Sequence, residues 1–312
     1  MLFNKLHDVK KSTKYYLKRI SSQNYFSAKA HYNLNLHLLN LRSAQPPILI
    51  YQMGKVGSST ITSSLQRLLK DRLILQIHYL TQPYLSSIEQ KNIQDFYPGR
   101  LNGYRHHWES LYLRKQIDKG LKDKQYKIVT LVREPISRNI SSFFENLEIE
   151  RIGSSQHYKV KSFYGFETTV DIGDPSELIR LFFETFDHDT PLVFFDREFK
   201  GVLGIDVFAS EFPKSTGYQI YKDKHAEVLL IRLEDLNKCI EDAFREFLDI
   251  EHFTTVNKNI GDKKKYREIY RRFLDSIVLP ESYVDMMYNS KYMQHFYSLE
   301  EINRFREKWL KK

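Results

Sequence analysis

Cysteine is almost absent: Cys239 is the single one in 312 residues. No disulfide can form within the chain, so nothing favours an oxidising compartment. Cys239 itself sits in an amphipathic stretch and reads as a small buried hydrophobe. Long apolar runs are missing as well, and no stretch approaches the roughly 18 consecutive apolar residues of a membrane span. The stretch from Met1 to Lys29 is basic but lacks the apolar core of a secretory signal. A cytoplasmic protein, or one held at the inner face of a membrane, is therefore the expectation. Internal repeats and low-complexity tracts are also absent.

What is present fits an ordinary soluble chain. Hydrophobic residues make up 41% and charged residues 28%. The length supports a sizeable core in one large α/β domain, or one domain with appendages. Tyrosine and phenylalanine number 21 each, most of them expected in the core. The formal net charge of +9 bears on partners rather than on fold. Composition alone admits nucleic acid, an anionic membrane or anionic small molecules.

Residues 1–45 read as a helical arm, with a partly amphipathic His37–Leu41. This arm either packs on its own domain or makes peripheral contact with a membrane surface. Gln45-Pro46-Pro47 breaks the helix. A buried-type strand follows at 48–52, then a small-residue loop at Met53–Thr60, then a helical stretch from Ile61. Further strands are expected at Leu73–His78, Tyr126–Val132 and Ala226–Arg232. Helices are expected at Ser86–Phe96, at Trp108–Leu121, from Pro135 to about Glu150, at Pro175–Phe186 and at Asp235–Leu248. Arg151–Gly173 reads as a loop or hairpin insertion, Phe194–Phe212 as aromatic and irregular, and the chain after Lys263 as mostly helical. Strands alternating with helices imply a central parallel sheet with right-handed crossovers.

The loop after the first strand is built as an anion cradle. Backbone N–H groups and a helix dipole converge there. Gly54 and Gly57 allow close backbone approach, Ser58, Ser59 and Thr60 offer hydroxyls, and Lys55 brings a full charge. Nucleoside-triphosphate enzymes need Gly-Lys-Ser or Gly-Lys-Thr, with the hydroxyl on magnesium. Here the lysine precedes the second glycine, and the third strand ends in Arg133 rather than in an acidic magnesium ligand. No metal is expected. Tight packing of small residues at a helix start is the plainer alternative for this loop.

Arg133 stands at the carboxyl end of a strand, where open α/β sheets bind ligands. Pro135 fixes the first helical turn, and Ser141 lies two turns on. Arginine and serine so placed suit a phosphate. A surface pair between Arg133 and Glu134 is the plainer alternative. Two phosphate sites without a metal fit a ligand such as 3′-phosphoadenosine 5′-phosphosulfate (PAPS).

At these residues the chain resembles the PAPS-dependent sulfotransferases. Met53–Thr60 looks like their 5′-phosphosulfate loop. Val132-Arg133-Glu134-Pro135 with Arg138 and Ser141-Ser142-Phe143 looks like their 3′-phosphate motif, Glu134 replacing the usual Asp. The chain is also similar to a bacterial family labelled capsular polysaccharide synthesis proteins. That similarity is carried by Gln52–Ser59, Leu131–Pro135, Gly204–Phe208, Arg232–Leu236, Asn289–Tyr292 and His295–Tyr297. The resemblance implies a P-loop-like three-layer fold over residues 46–312, with an insertion around 151–225. It implies PAPS as donor, held by Lys55, Val56, Gly57, Ser58, Ser59, Thr60, Arg133, Ser141 and, from a late basic loop, Lys264. A carbohydrate or other hydroxyl would be the acceptor, and no nucleic acid.

Sulfuryl transfer also needs a base for the acceptor proton. His78 at the end of the second strand is the first choice. His106 and His107, read as solvent-facing at a helix start, and Glu145 are the alternatives. Phe163, Tyr164, Phe194 and Phe195 are either an acceptor platform or core. Two other readings stand beside the sulfotransferase: an ATP-dependent kinase, and a nucleotide-binding scaffold without chemistry in polysaccharide assembly.

Overall fold

The computed structural model describes residues 24–43, 45–119, 126–153, 156–162, 165–171, 173–255 and 266–310. It is a mixed α/β protein around a five-stranded, mostly parallel sheet of order β2-β1-β3-β8-β7, with a separate three-stranded sheet β4-β5-β6. In chain order the elements begin with α1 (Tyr25–Arg42), β1 (Ile48–Tyr51), α2 (Ser58–Leu68), β2 (Ile74–Ile77), α3 (Gln82–Gln94) and α4 (Leu101–Asp118). Then come β3 (Tyr126–Val132), α5 (Pro135–Glu145), β4 (Leu147–Arg151), β5 (His157–Ser162), β6 (Glu167–Asp171), α6 (Ser176–Thr185) and α7 (Thr190–Phe194). The last are β7 (Tyr218–Lys222), β8 (Ala226–Arg232), α8 (Leu236–Leu248), α9 (Arg267–Ser276), α10 (Glu281–Tyr288), α11 (Lys291–Phe296) and α12 (Leu299–Leu310). Among the described residues no helix is long and apolar enough to cross a membrane.

The chain divides into two compact units. The first comprises Met1–Tyr51, Leu65–Val129 and Lys222–Glu227. In it β1 lies between parallel neighbours, Ile48 opposite Ile74 of β2 and Lys127 of β3. All four residues of β1 are buried. A parallel strand covered on both faces needs such an unbroken apolar run. Asn24 caps α1 by accepting the Ser27 N–H at 2.9 Å. Tyr25 and Ala28 of α1 then pack on Tyr104 and Trp108 of α4. Buried Glu109 of α4 ties three elements together. Its carboxylate accepts the Tyr32 hydroxyl at 2.6 Å, Arg105 Nε at 2.7 Å and the Gln76 N–H at 2.7 Å.

The second unit comprises Gln52–Ser64, Thr130–Tyr221 and Val228–Lys312. Its small antiparallel sheet pairs Leu147 with Ser162 and His157 with Asp171. The alternation in β5 follows: Tyr158, Val160 and Ser162 are buried while His157, Lys159 and Lys161 face out. On the outer face Lys161 stands between Glu148 and Glu167, so that face is largely self-neutralised. The helix expected to run to about Glu150 therefore ends at Glu145, because the next residues are drawn into this sheet. Asn146 closes the helix, its side chain donating to the Ser142 carbonyl at 2.9 Å.

The stretch expected to be irregular from Phe194 is helical through Leu203. Phe194 and Phe195 are buried and pack on Phe199, so they are core and not an acceptor platform. Phe163 and Tyr164 lie outside the described residues. Cys239 is buried in α8 as expected. Its thiol donates to the Asp235 carbonyl at 3.3 Å, and burial pushes its pKa up to about 11.

Candidate functional site

Strand β1 hands over to the loop at Gln52, which is buried with Met53 and Val56. Val56 can therefore offer a ligand only its backbone. Two residues of the loop lie in the left-handed region, Lys55 at φ 71° and Gly57 at φ 99°. For Gly57 the choice of residue is forced, since a Cβ would meet Leu233 Cδ1 at 3.1 Å. A Cβ on Gly54 would meet nothing within 4 Å. Within the protein's own packing the glycine requirement thus lies at 57. Gly57 O accepts the N–H of Thr60 and of Ile61, at 3.2 and 3.4 Å, and so starts α2. Ser58 is buried there, with Ser59 and Thr60 half-buried.

A left-handed conformation at lysine costs about 1–2 kcal/mol, and surrounding contacts must hold it. Two guanidinium groups do so. Arg138 Nε donates to the Gly54 carbonyl at 3.0 Å, and Arg133 Nη1 to the Lys55 carbonyl at 2.9 Å. With these two carbonyls tied to arginines, the loop is fixed by residues that follow β3. The Lys55–Arg133 connection joins the two halves of the site read from the sequence.

Arg133 is itself held through its backbone. The Tyr292 hydroxyl accepts the Arg133 N–H at 2.9 Å and donates to the Arg133 carbonyl at 2.8 Å. Glu134 makes no surface pair: it is buried and caps α5, accepting the N–H of Ile136 and of Ser137 at 2.7 and 2.8 Å. It also accepts the Tyr288 hydroxyl at 2.9 Å, while its own N–H donates to Glu234 Oε1 at 2.8 Å. Sequence reasoning missed Tyr288, Tyr292 and Glu234. Two of them stand in blocks that carried the family resemblance, Arg232–Leu236 and Asn289–Tyr292, and that was the available signal.

Arg138, Ser141 and Glu145 share one face of α5 by the helical period. Arg138 and Glu145 both touch the loop, so Ser141 lies on the side turned to it. Lys55 Nζ donates to Glu145 Oε2 at 3.0 Å, and the Tyr266 hydroxyl donates to the same oxygen at 3.1 Å. An incoming anion must compete with Glu145 for the lysine. The pair is partly exposed and worth no more than about 1 kcal/mol. Glu145→Gln should therefore tighten nucleotide binding up to about fivefold in calorimetry while turnover persists. Abolished turnover would instead make Glu145 the base. Lys264 lies outside the described residues.

The histidine candidates belong to the first unit. His78 directly follows β2 and is half-buried. Its ring meets that of His106 edge to face at 5.2 Å. His106 and His107 are neither at a helix start nor solvent-facing, because α4 begins at Leu101 and carries them inward. His106 Nδ1 donates to the Gln76 carbonyl at 3.0 Å, which leaves Nε2 as the acceptor of the neutral ring. Burial lowers its pKa.

His107 is 3% exposed and lies 3.4 Å, Nδ1 to hydroxyl, from Tyr79. Burial pushes its pKa down to about 4, with a smaller upward effect of Glu89 and a smaller downward effect of Lys29. The unfolded chain, with histidine near 6.5, binds the extra proton first, so stability falls as pH drops from about 6.5 to 4. The full loss amounts to roughly 3 kcal/mol. Urea melts at pH 7 and 4.5 should show His107→Gln losing less stability than wild type over that interval. Parallel losses would contradict a neutral buried His107.

The family model described as "Putative capsular polysaccharide synthesis protein" matches residues 169–298. That segment contains Glu234, Tyr288 and Tyr292, which brace the Arg133–Pro135 turn, and includes neither the loop at Lys55 nor Arg133, both of which precede it. No curated protein and no solved structure matches the chain.

Proposed function

We propose that the protein is a PAPS-dependent sulfotransferase acting on a carbohydrate hydroxyl in polysaccharide synthesis. The observation that carries this reading is the loop of residues 52–57, pinned through consecutive carbonyls by Arg138 and Arg133 beside the Lys55 ammonium. Such an arrangement gathers three cationic side chains around one helix start. The 5′-phosphosulfate is assigned to Lys55 and the helix start at Ser58–Thr60. The 3′-phosphate is assigned to Arg133 and Ser141. The bond from Arg133 to Lys55 O takes one of five guanidinium N–H donors and leaves the others for a ligand.

In the reaction an acceptor oxygen attacks sulfur, the bond from sulfur to the 5′-phosphate oxygen breaks, and the nucleotide leaves with both electrons. Lys55 meets the charge that grows on that phosphate oxygen. The acceptor's proton passes to a base. The polysaccharide setting rests on the family match over residues 169–298. The test is transfer from sulfur-labelled PAPS to a panel of capsule-derived sugars. Label on a sugar hydroxyl supports the reading. Nucleotide binding without transfer to any acceptor favours the scaffold, and tight magnesium-dependent ATP binding favours the kinase.

A further inference from the structure

A chain of hydrogen bonds with fixed donors and acceptors runs from a histidine to the loop at Lys55, all of it within the second unit. His188 lies between α6 and α7. Its Nε2 faces the Phe182 carbonyl at 2.8 Å, and a carbonyl only accepts, so Nε2 carries the proton. Nδ1 is then an acceptor, and the Tyr283 hydroxyl of α10 donates to it at 2.8 Å. With its hydrogen committed, the Tyr283 oxygen accepts from Asn139 Nδ2 at 3.4 Å. The same Nδ2 donates to the His188 carbonyl at 3.0 Å, and Asn139 Oδ1 accepts Arg138 Nη1 at 2.9 Å. A carbonyl on one side and a guanidinium on the other leave this amide no flipped alternative. Arg138 Nε ends the chain on the Gly54 carbonyl at 3.0 Å.

A protonated His188 breaks this order. Nδ1 becomes a donor toward Tyr283, and the hydroxyl hydrogen loses its acceptor. Tyr283 is buried, where a hydroxyl without a partner is costly. The bond from Asn139 to Tyr283 is the longest of the chain and yields first, and with it the hold of Asn139 on Arg138. The surroundings favour the neutral ring. The rings of Phe182, Phe183 and Phe186 pack on His188. Burial lowers its pKa from 6.5, against smaller raising effects of the Phe182 carbonyl, Asp187 and Asp189. At the Tyr283 hydroxyl the charged neighbours are Glu134, Arg138 and Asp189. We propose that His188, acting through Tyr283 and Asn139, positions Arg138 and makes the anion loop pH-sensitive, ordered with the neutral ring and loosened by its protonation. That this regulates catalysis rests on the assignment of the 5′-phosphosulfate to the loop.

The test compares the full chain as wild type, His188→Asn and Tyr283→Phe. Asparagine presents an amide oxygen near the place of Nδ1 and takes no proton, while phenylalanine removes the link. Hydrogen exchange of the peptide covering residues 53–57, read by mass spectrometry, reports the loop without any ligand. At about pH 7.5 wild type and His188→Asn should exchange alike, and Tyr283→Phe about threefold to tenfold faster, as for one lost hydrogen bond. At about pH 5, below the ordinary histidine value, wild type should match Tyr283→Phe while His188→Asn stays slow. Proteins are compared at equal pH, so intrinsic exchange and the titration of His107 are common to all three. Affinity for 3′-phosphoadenosine 5′-phosphate should follow the same order. A His188→Asn loop that loosens in acid as the wild type does would overturn the proposal, as would a Tyr283→Phe loop that exchanges like wild type at pH about 7.5. Should Tyr283→Phe fail to fold, wild type and His188→Asn decide between them, since only the wild type should loosen in acid. The expected exchange pattern without nucleotide binding would uphold the role of His188 and count against the sulfotransferase reading alone.

Discussion

Lys55→Ala should lower turnover on the order of 100-fold or more, the loss typical when one donor to a developing charge is removed. Nucleotide affinity should fall far less, because the backbone of the loop remains. The structure makes this substitution cleaner than a motif alone would suggest. Lys55 is left-handed at φ 71°, and alanine carries the same Cβ, so the backbone strain is neither relieved nor increased. The Lys55 carbonyl stays on Arg133, a bond that does not involve the side chain. What is lost is the ammonium and its contact with Glu145. Single-turnover kinetics with saturating PAPS would isolate the effect. Near-normal turnover would remove Lys55 from the chemistry.

Arg133→Ala should act chiefly on binding. Loss of a hydrogen bond to a charged group costs about 1.5–3 kcal/mol, or roughly 10- to 150-fold in affinity. The variant should also lose its preference for PAPS over adenosine 5′-phosphosulfate, since the 3′-phosphate takes no part in bond breaking. Because Arg133 also holds the Lys55 carbonyl, a smaller loss of turnover should accompany the binding defect, with Arg138 still fixing Gly54. Arg133→Lys should recover little, as a point charge cannot bond the carbonyl and a phosphate in the same fork. Retained discrimination between the two nucleotides in Arg133→Ala would place the 3′-phosphate elsewhere.

The parts of the fold legible in the sequence were those specified locally. Strands β3 and β8 fall on the expected residues because a continuous apolar run inside a parallel sheet leaves few other readings. Strand β7 was missed: its residues are half-exposed and do not alternate. It forms by hairpin pairing with β8, the Asp223 N–H donating to the Ala226 carbonyl and the Arg232 N–H to the Gly217 carbonyl. Strand β4 reads Leu-Glu-Ile-Glu-Arg, residues that suit a helix equally well, and only the distant β5 decides for a sheet.

The same division runs through the candidate site. Lys55, Arg133 and Ser141 stood out in two short motifs, and Arg138 entered through the sulfotransferase resemblance that those motifs carry. The residues that hold those motifs in place do not announce themselves. Tyr292 lies 159 residues from Arg133 along the chain, and no period or propensity marks a tyrosine as a backbone clamp. The left-handed Lys55 is likewise invisible in sequence, because glycine would be expected at such a φ.

Calorimetry of the full chain with 3′-phosphoadenosine 5′-phosphate in metal-free buffer tests the nucleotide site most directly. Saturable binding in the micromolar range is expected, clearly weaker for adenosine 5′-phosphate, which lacks the 3′-phosphate, and without that difference in Arg133→Ala. No binding at high micromolar concentration, or equal binding of the two nucleotides by the wild-type protein, would contradict a PAPS site built on Lys55 and Arg133.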